Sequence, residues 1–128
     1  MSGSEPTGEA RLAALRLART HGIGPVNYRR LLKRYGDAKT AIDALPSLSG
    51  AKHLKLTSID AAERELAAIE RAGARLFLLS DASYPDILAR IADPPPALMA
   101  TGRLELLQNP ACAIVGSRNA SAIGLRLA

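Results

Sequence analysis

The sequence has few aromatic residues and almost no cysteine. Its 128 residues include no tryptophan, one phenylalanine and three tyrosines, so aromatic side chains make up 3% of the chain. Stacking of bases on exposed rings is therefore a disfavoured way for this chain to bind nucleic acid. The single cysteine, Cys112, excludes an internal disulfide and a cysteine-cluster metal site. Because it lies in the apolar run Ala111–Val115, we expect a small buried side chain.

Long apolar runs are also missing. No stretch is long enough to cross a bilayer, and the first residues lack the core of a signal peptide. We therefore expect a cytoplasmic protein without a membrane partner. His21 and His53 show no metal-ligand spacing, and no Ser-His-Asp or Cys-His arrangement is visible. The sequence predicts no metal, no cofactor and no catalytic residue.

Positive charge is concentrated in the first third of the chain. The formal net charge is +5, but the segment from Arg11 to Lys39 holds eight basic residues and one acid, which gives it +7. This asymmetry favours a polyanionic partner, nucleic acid before membrane. A solvated, arginine-rich helical surface is the alternative.

The first part of the sequence predicts a small all-helical unit. After a flexible tail over residues 1–7, one helix is expected from about Gly8 to Thr20 and a second from Pro25 to Tyr35. A third should start at Asp37 and end near Leu45, with a short helical piece near Ala51–Leu56. The second helix carries an apolar stripe at helical spacing and a cationic opposite side, formed respectively by Tyr28, Leu31, Leu32 and Tyr35, and by Arg29, Arg30, Lys33 and Arg34.

A glycine-rich turn joins the first two helices. In Gly22-Ile23-Gly24-Pro25 the glycines permit a tight turn and leave N–H groups unobstructed. The arrangement resembles a helix-hairpin-helix element, a motif that binds a nucleic-acid phosphate without contacting bases. Gly22 and Gly24 are the candidate contacts in this sequence. Tyr28 departs from that pattern, which usually has a small residue there. A plain helix–helix corner is the alternative.

The remainder of the sequence predicts an α/β layer. Asp60 to Glu63 resembles a capping box that opens a helix ended by Gly73. Strands are expected near 75–79, 97–100 and 111–115, with short helical segments at 85–91 and 104–107 between them. Strands separated by helical segments predict a largely parallel sheet.

The last strand is followed by a polar turn, Gly116-Ser117-Arg118. We expect its N–H groups, the Arg118 guanidinium and the N-terminus of the next helix to converge on one anion. Because the next glycine is Gly124, the turn lacks the G-x-G-x-x-G pattern of dinucleotide-binding proteins. A bulky cation in the turn suits a nucleic-acid phosphate, to which the Ser117 hydroxyl could also donate. Neutralisation of a nearby carboxylate by Arg118 is the alternative.

Taken in order, these features resemble the N-terminal part of the DNA-processing protein A (DprA/Smf) family. They are Gly-Ile-Gly-Pro, Arg29-Arg30-Leu31-Leu32, Tyr84-Pro85, Asp93-Pro94-Pro95, and the run from Ala113 to Arg118 with Gly124. The resemblance implies a sterile-alpha-motif-like helical domain over residues 8–58. It implies the truncated start of an extended Rossmann-like domain over residues 59–128.

The resemblance also implies a function. Family members bind single-stranded DNA in natural transformation and load the RecA recombinase onto it, and the full-length proteins are expected to be homodimers. Gly116, Ser117 and Arg118 match the family's DNA-contact turn, and Gly124 matches its later glycine. The family's other DNA contacts and its RecA-binding surface lie in regions that the sequence does not contain.

Two other functions stay open at this point. The turn at Gly116 is also similar to that of Rossmann-like nucleotide phosphoribohydrolases, which need a later phosphate loop and a catalytic acid. Alternatively, the helical unit is a protein-interaction module.

A strand–helix–strand unit takes about 30 residues, so the one begun at Ala111 does not close by Ala128. We therefore expect an exposed apolar face and sheet edge, and oligomerisation or partial disorder in the isolated chain.

Overall fold

A computed structural model describes residues 7–128 of the chain. Within them, an all-helical unit is followed by two short strands and further helices, as the predicted fold class requires. The helices are α1 (Gly8–Arg19), α2 (Pro25–Tyr35), α3 (Ala38–Ala44), α4 (Ile59–Arg71), α5 (Asp86–Ala89) and α6 (Ala122–Leu127), and the strands are β1 (Arg75–Leu78) and β2 (Ala97–Ala100). Single 3₁₀ turns span Leu45–Ser47 and Leu104–Gln108. No helix in residues 7–128 has the length and apolar character needed to cross a bilayer.

Helix α1 forms the centre of the core. Thr7 caps it, since its hydroxyl accepts from the N–H of Ala10 at 3.4 Å. Leu15 and Leu17 are completely buried, and α2, α3, α4 and β1 all contact the helix. The rest of the predicted tail, residues 1–6, lies outside the described residues.

Helix α2 follows its predicted pattern. Tyr28 is fully buried, while Leu31, Leu32 and Tyr35 are half-buried against the core. The helix ends at Gly36, whose φ of +89° is in a region that side chains disfavour. The apolar stripe of this helix is therefore confirmed.

Tyr28 contributes a buried hydroxyl that has no hydrogen-bond partner among residues 7–128. Burial, and then the negative charge of Asp81, raise the pKa of this phenol from 10.0 to about 12. The unfolded phenol ionises near pH 10 and the folded one near pH 12. The contribution of this phenol to the stability of the folded state is therefore fully present below pH 10, and it is lost as the pH rises towards 12.

We predict that Tyr28→Phe leaves the free energy of unfolding at pH 7 unchanged or raises it by about 1 kcal/mol, because an unsatisfied hydroxyl is removed. The variant should also lose less stability than the native chain between pH 10 and pH 12. Urea unfolding at pH 7 and pH 11 measures both effects. Equal losses in the two proteins at pH 11 would contradict this assignment.

The segment between α3 and α4 differs from the sequence prediction. Residues 51–56 form turns and extended chain rather than a helical piece, because Leu54 packs beside Gly22 and the Thr57 N–H donates to the Thr20 hydroxyl at 3.2 Å. These contacts require an extended path. The cap of helix α4 also lies earlier than the predicted capping box at Asp60. Ser58 is the N-cap, and its hydroxyl accepts from the Ala61 N–H at 3.1 Å.

The sheet is antiparallel, so the prediction of a largely parallel sheet is wrong. Phe77 pairs with Leu98 and Leu78 with Ala97. A parallel connection needs a crossover that returns along the whole strand. Here the connection contains only the four-residue α5 and a proline-rich segment, which Tyr84 holds through a hydrogen bond to the Pro95 carbonyl at 2.8 Å. The strands consequently run in opposite directions.

The predicted third strand, Ala111–Val115, is also not formed. The segment is exposed and irregular, with Val115 at 90% exposure, because no neighbouring strand in residues 7–128 offers it a hydrogen-bonding partner. Cys112 is exposed, which corrects the expectation that it is buried. The expected exposed apolar face is present, and it comprises Ile114, Val115, Ile123, Leu125 and Leu127.

Candidate nucleic-acid interface

The turn between α1 and α2 is tightly built. Gly22 has a φ of +89°, and the N–H of buried Ile23 donates to the Thr20 carbonyl at 3.1 Å. Gly24 is the N-cap of α2 and provides no side chain to accept from the first-turn N–H groups. Those N–H groups are left available to an external anion.

The extended segment that precedes α4 holds this turn in place. A β-carbon at Gly22 would lie 2.6 Å from Cδ2 of Leu54. The guanidinium of Arg16 donates to the Thr57 carbonyl at 2.9 Å. The shape of the hairpin is therefore fixed by packing from outside it.

Most of the cationic segment is engaged within the protein. Of the eight basic residues between Arg11 and Lys39, five have protein partners in residues 7–128. They are Arg11 with Asp81, Arg16 with the Thr57 carbonyl, Arg19 with Glu65, Arg29 with the Ala89 and Ile91 carbonyls, and Lys39 with Glu9.

The other three, Arg30, Lys33 and Arg34, are exposed on α2. None of them has an acidic partner within the described part of the chain. The Arg34 guanidinium lies 5.3 Å from the ring centroid of Tyr35. We call these three residues the α2 cationic group.

Arg29, predicted alongside them, lies in a different environment. It is half-buried and donates to the carbonyls of Ala89 and, at 3.2 Å, Ile91. The Ala89 carbonyl is the last of the short helix α5, where a cation is electrostatically favoured, and Ile91 lies two residues beyond it. Arg29 therefore joins the helical unit to the segment between the strands.

Part of the hairpin turn and two members of the cationic group line one cleft of about 400 Å³, which we call the α2 cleft. Gly22, Asn27, Arg30 and Arg34 line it from the turn and the helix. Its floor is apolar and consists of Ile23, Leu31, Leu45, Leu48, Ala51 and Leu54. The structure thus brings together two predicted groups, and it adds Asn27 and a leucine floor that the sequence analysis missed. The helical periodicity placed Leu31 in the core, but nothing local indicated that Leu48 and Leu54 would face it.

The Gly116-Ser117-Arg118 turn lines a separate, open cleft of about 620 Å³ together with Gly124. Arg118 is exposed and has no acidic partner in residues 7–128, so it is not neutralised by a carboxylate there. The predicted convergence of the turn, Arg118 and a helix N-terminus on one anion stays a prediction. Helix α6 starts only at Ala122, and its Gly124 N–H is already taken by the Ser121 hydroxyl at 3.1 Å.

The Ser117 hydroxyl also has a partner within the protein, since it accepts a hydrogen bond from the Asn119 N–H at 3.2 Å. His21 and His53 are exposed. In residues 7–128 no cluster of three or more histidine, cysteine or acidic side chains is placed to hold a metal ion.

Two protein-family models match the chain. The first, described as the DprA-like N-terminal HHH domain, matches residues 8–68 and so extends into α4, beyond the division predicted at residue 58. The second, described as DNA recombination-mediator protein A, matches residues 75–128. No curated protein matches the chain. The two matches follow each other in the order that the family resemblance requires, with an HHH-type helical domain before the opening of a Rossmann-like region, and the chain therefore belongs to the DprA family of DNA-processing proteins.

Proposed function

We propose that this protein binds single-stranded DNA through its phosphate backbone and without catalysis. The observation that carries the proposal is the α2 cationic group, three exposed cations on one helix with no acidic partner in residues 7–128. Unpaired guanidinium and ammonium groups keep their full attraction for phosphate. Helix α2 also begins at Gly24 without a side-chain cap, which adds N–H donors at its N-terminus.

Arg118 forms the second phosphate contact in this proposal. Its guanidinium is exposed next to Gly116 and Ser117, in an open cleft that also includes Gly124. We assign Arg29 a supporting part, because its hydrogen bonds to the end of α5 fix the orientation of α2. The family description as a recombination mediator supports a cytoplasmic role in which the protein, as a homodimer, loads RecA onto the bound strand in natural transformation.

Replacing Arg30, Lys33 and Arg34 together by glutamine tests the principal contact. We predict that affinity for single-stranded DNA falls at least tenfold. The slope of log K against log salt should become shallower by about 2, at about 0.7 per lost phosphate contact. Fluorescence anisotropy with a labelled oligonucleotide at several salt concentrations measures both quantities.

The matched control replaces Lys55, Arg64 and Arg71, which are exposed and remove the same charge from other surfaces. It should reduce affinity much less. If both triple variants weaken binding equally, net charge rather than the α2 surface determines affinity. If the α2 triple variant binds DNA normally but loses a protein partner, the helical unit is an interaction module.

Arg118→Ala tests the second contact. A charge-assisted hydrogen bond contributes about 1.5–3 kcal/mol, so the affinity of the protein for single strands should fall about tenfold or more. A filter-binding titration measures the change. Unchanged affinity would remove Arg118 from the interface.

A further inference from the structure

The α2 cleft combines an apolar floor with a cationic rim. Leu48 and Leu54 are half-buried at its base, and exposed Arg30 and Arg34 stand at its edge. No carboxylate is among its lining residues. By contrast, the cleft lined by Glu9 and Lys39 has its charges paired at 2.7 Å. The α2 cleft therefore suits an anion that carries an apolar body.

We propose that the α2 cleft holds one nucleotide of the bound strand, with its base on the leucine floor and its phosphate on the two guanidinium groups. This inference rests on the proposed single-strand binding and adds a base-binding subsite to it. Arg30 and Arg34 are one helical turn apart, so both side chains lie on the same side of α2. A guanidinium plane can also stack on a base, which supplies the contact that the scarce aromatic residues do not.

An acidic amphipathic peptide has partly similar chemistry, but two features favour the nucleotide. Asn27 lines the cleft and offers an amide that both donates and accepts, as base edges require. Lys33 lies on the same exposed helix surface and can contact the next phosphate along the strand.

The test compares two ligands of equal length and charge, a 30-nucleotide oligothymidylate and a fully abasic strand. If a base occupies the cleft, the 128-residue chain should bind oligothymidylate at least about fivefold more tightly, a difference of about 1 kcal/mol, because the abasic strand has no base to bury on the leucine floor. Equal affinity for the two strands would overturn the base-binding subsite and leave the backbone contacts intact. Failure to bind either strand would instead overturn the proposed function.

A filling variant then locates the subsite. Ser49 is exposed and lines the cleft, whereas Ser47 is exposed outside it. Ser49→Leu should abolish the preference for oligothymidylate without changing affinity for the abasic strand, while Ser47→Leu should preserve the preference. Retention of the preference in Ser49→Leu would overturn the assignment. The assignment would also be overturned if Ser49→Leu, but not Ser47→Leu, lost binding of a peptide of alternating leucine and glutamate while its affinity for both DNA strands stayed unchanged.

Discussion

Replacing Arg11 by methionine should lower the free energy of unfolding by about 3 kcal/mol or more, because a buried carboxylate would lose its counter-ion. The Asp81 side chain is only 7% exposed and accepts from the Arg11 guanidinium at 2.9 Å and from the Leu78 N–H at 2.9 Å. The same guanidinium donates to the Leu76 carbonyl at 2.8 Å. Arg11 thus joins α1 to the strand β1, and methionine keeps the apolar stem of its side chain without the charge. Urea unfolding at pH 7 measures the loss.

The control for Arg11 is Arg19→Met. Arg19 pairs with Glu65 at 2.8 Å, but both side chains are about a third exposed, so its removal should cost less than about 1 kcal/mol. Adding Asp81→Asn to Arg11→Met should restore part of the stability, since the amide oxygen can still accept from Leu78 without a charge. A double variant less stable than Arg11→Met would show that an unpaired carboxylate is not the cause.

Replacing Gly22 by alanine should destabilise the protein by about 3 kcal/mol, the combined cost of a disfavoured backbone and a steric clash. The φ of +89° is strained for any side chain, and the new β-carbon would lie 2.6 Å from Leu54 Cδ2. To relieve the contact, Leu54 must move away from the turn and from the floor of the α2 cleft. Thermal unfolding followed by circular dichroism measures the effect.

Gly24→Ala is the matched control in the same turn. Gly24 has a φ of −82°, and a β-carbon there meets no atom within 4 Å. The change should alter stability by less than about 1 kcal/mol, which is the scale of an N-cap substitution. Similar losses for the two glycines would contradict the distinct roles that their geometry assigns to them.

These predictions separate stability from DNA binding within one cationic segment. Arg11 and Arg29 are hydrogen-bonded to groups beyond residue 75, and they hold the helical unit against the strand-containing part. Arg30, Lys33 and Arg34 have no such partners in residues 7–128. Neighbouring arginines in one sequence motif therefore act differently, and substitution of the whole motif would confuse folding with binding.

Local signals in the sequence specify helices α1, α2 and α3, with ends that match the structure to within one residue. The stripe at Tyr28, the cap at Asp37 and the glycines at 22 and 36 are local signals, because helical spacing and backbone freedom act within a few residues. The short strands at 75–78 and 97–100 were equally predictable from their apolar runs. The order of these motifs also indicated the DprA family.

The pairing of the strands and the choice of which charges stay free depend on contacts between distant parts of the chain. Whether two strands run parallel depends on how the connection folds, and whether Ala111–Val115 becomes a strand depends on a neighbour to pair with. The partners of Arg11 and Arg29 lie at least 60 positions along the chain, a separation at which local pattern carries no information. The same holds for the leucine floor of the α2 cleft, which combines side chains from a helix with side chains from a distant loop.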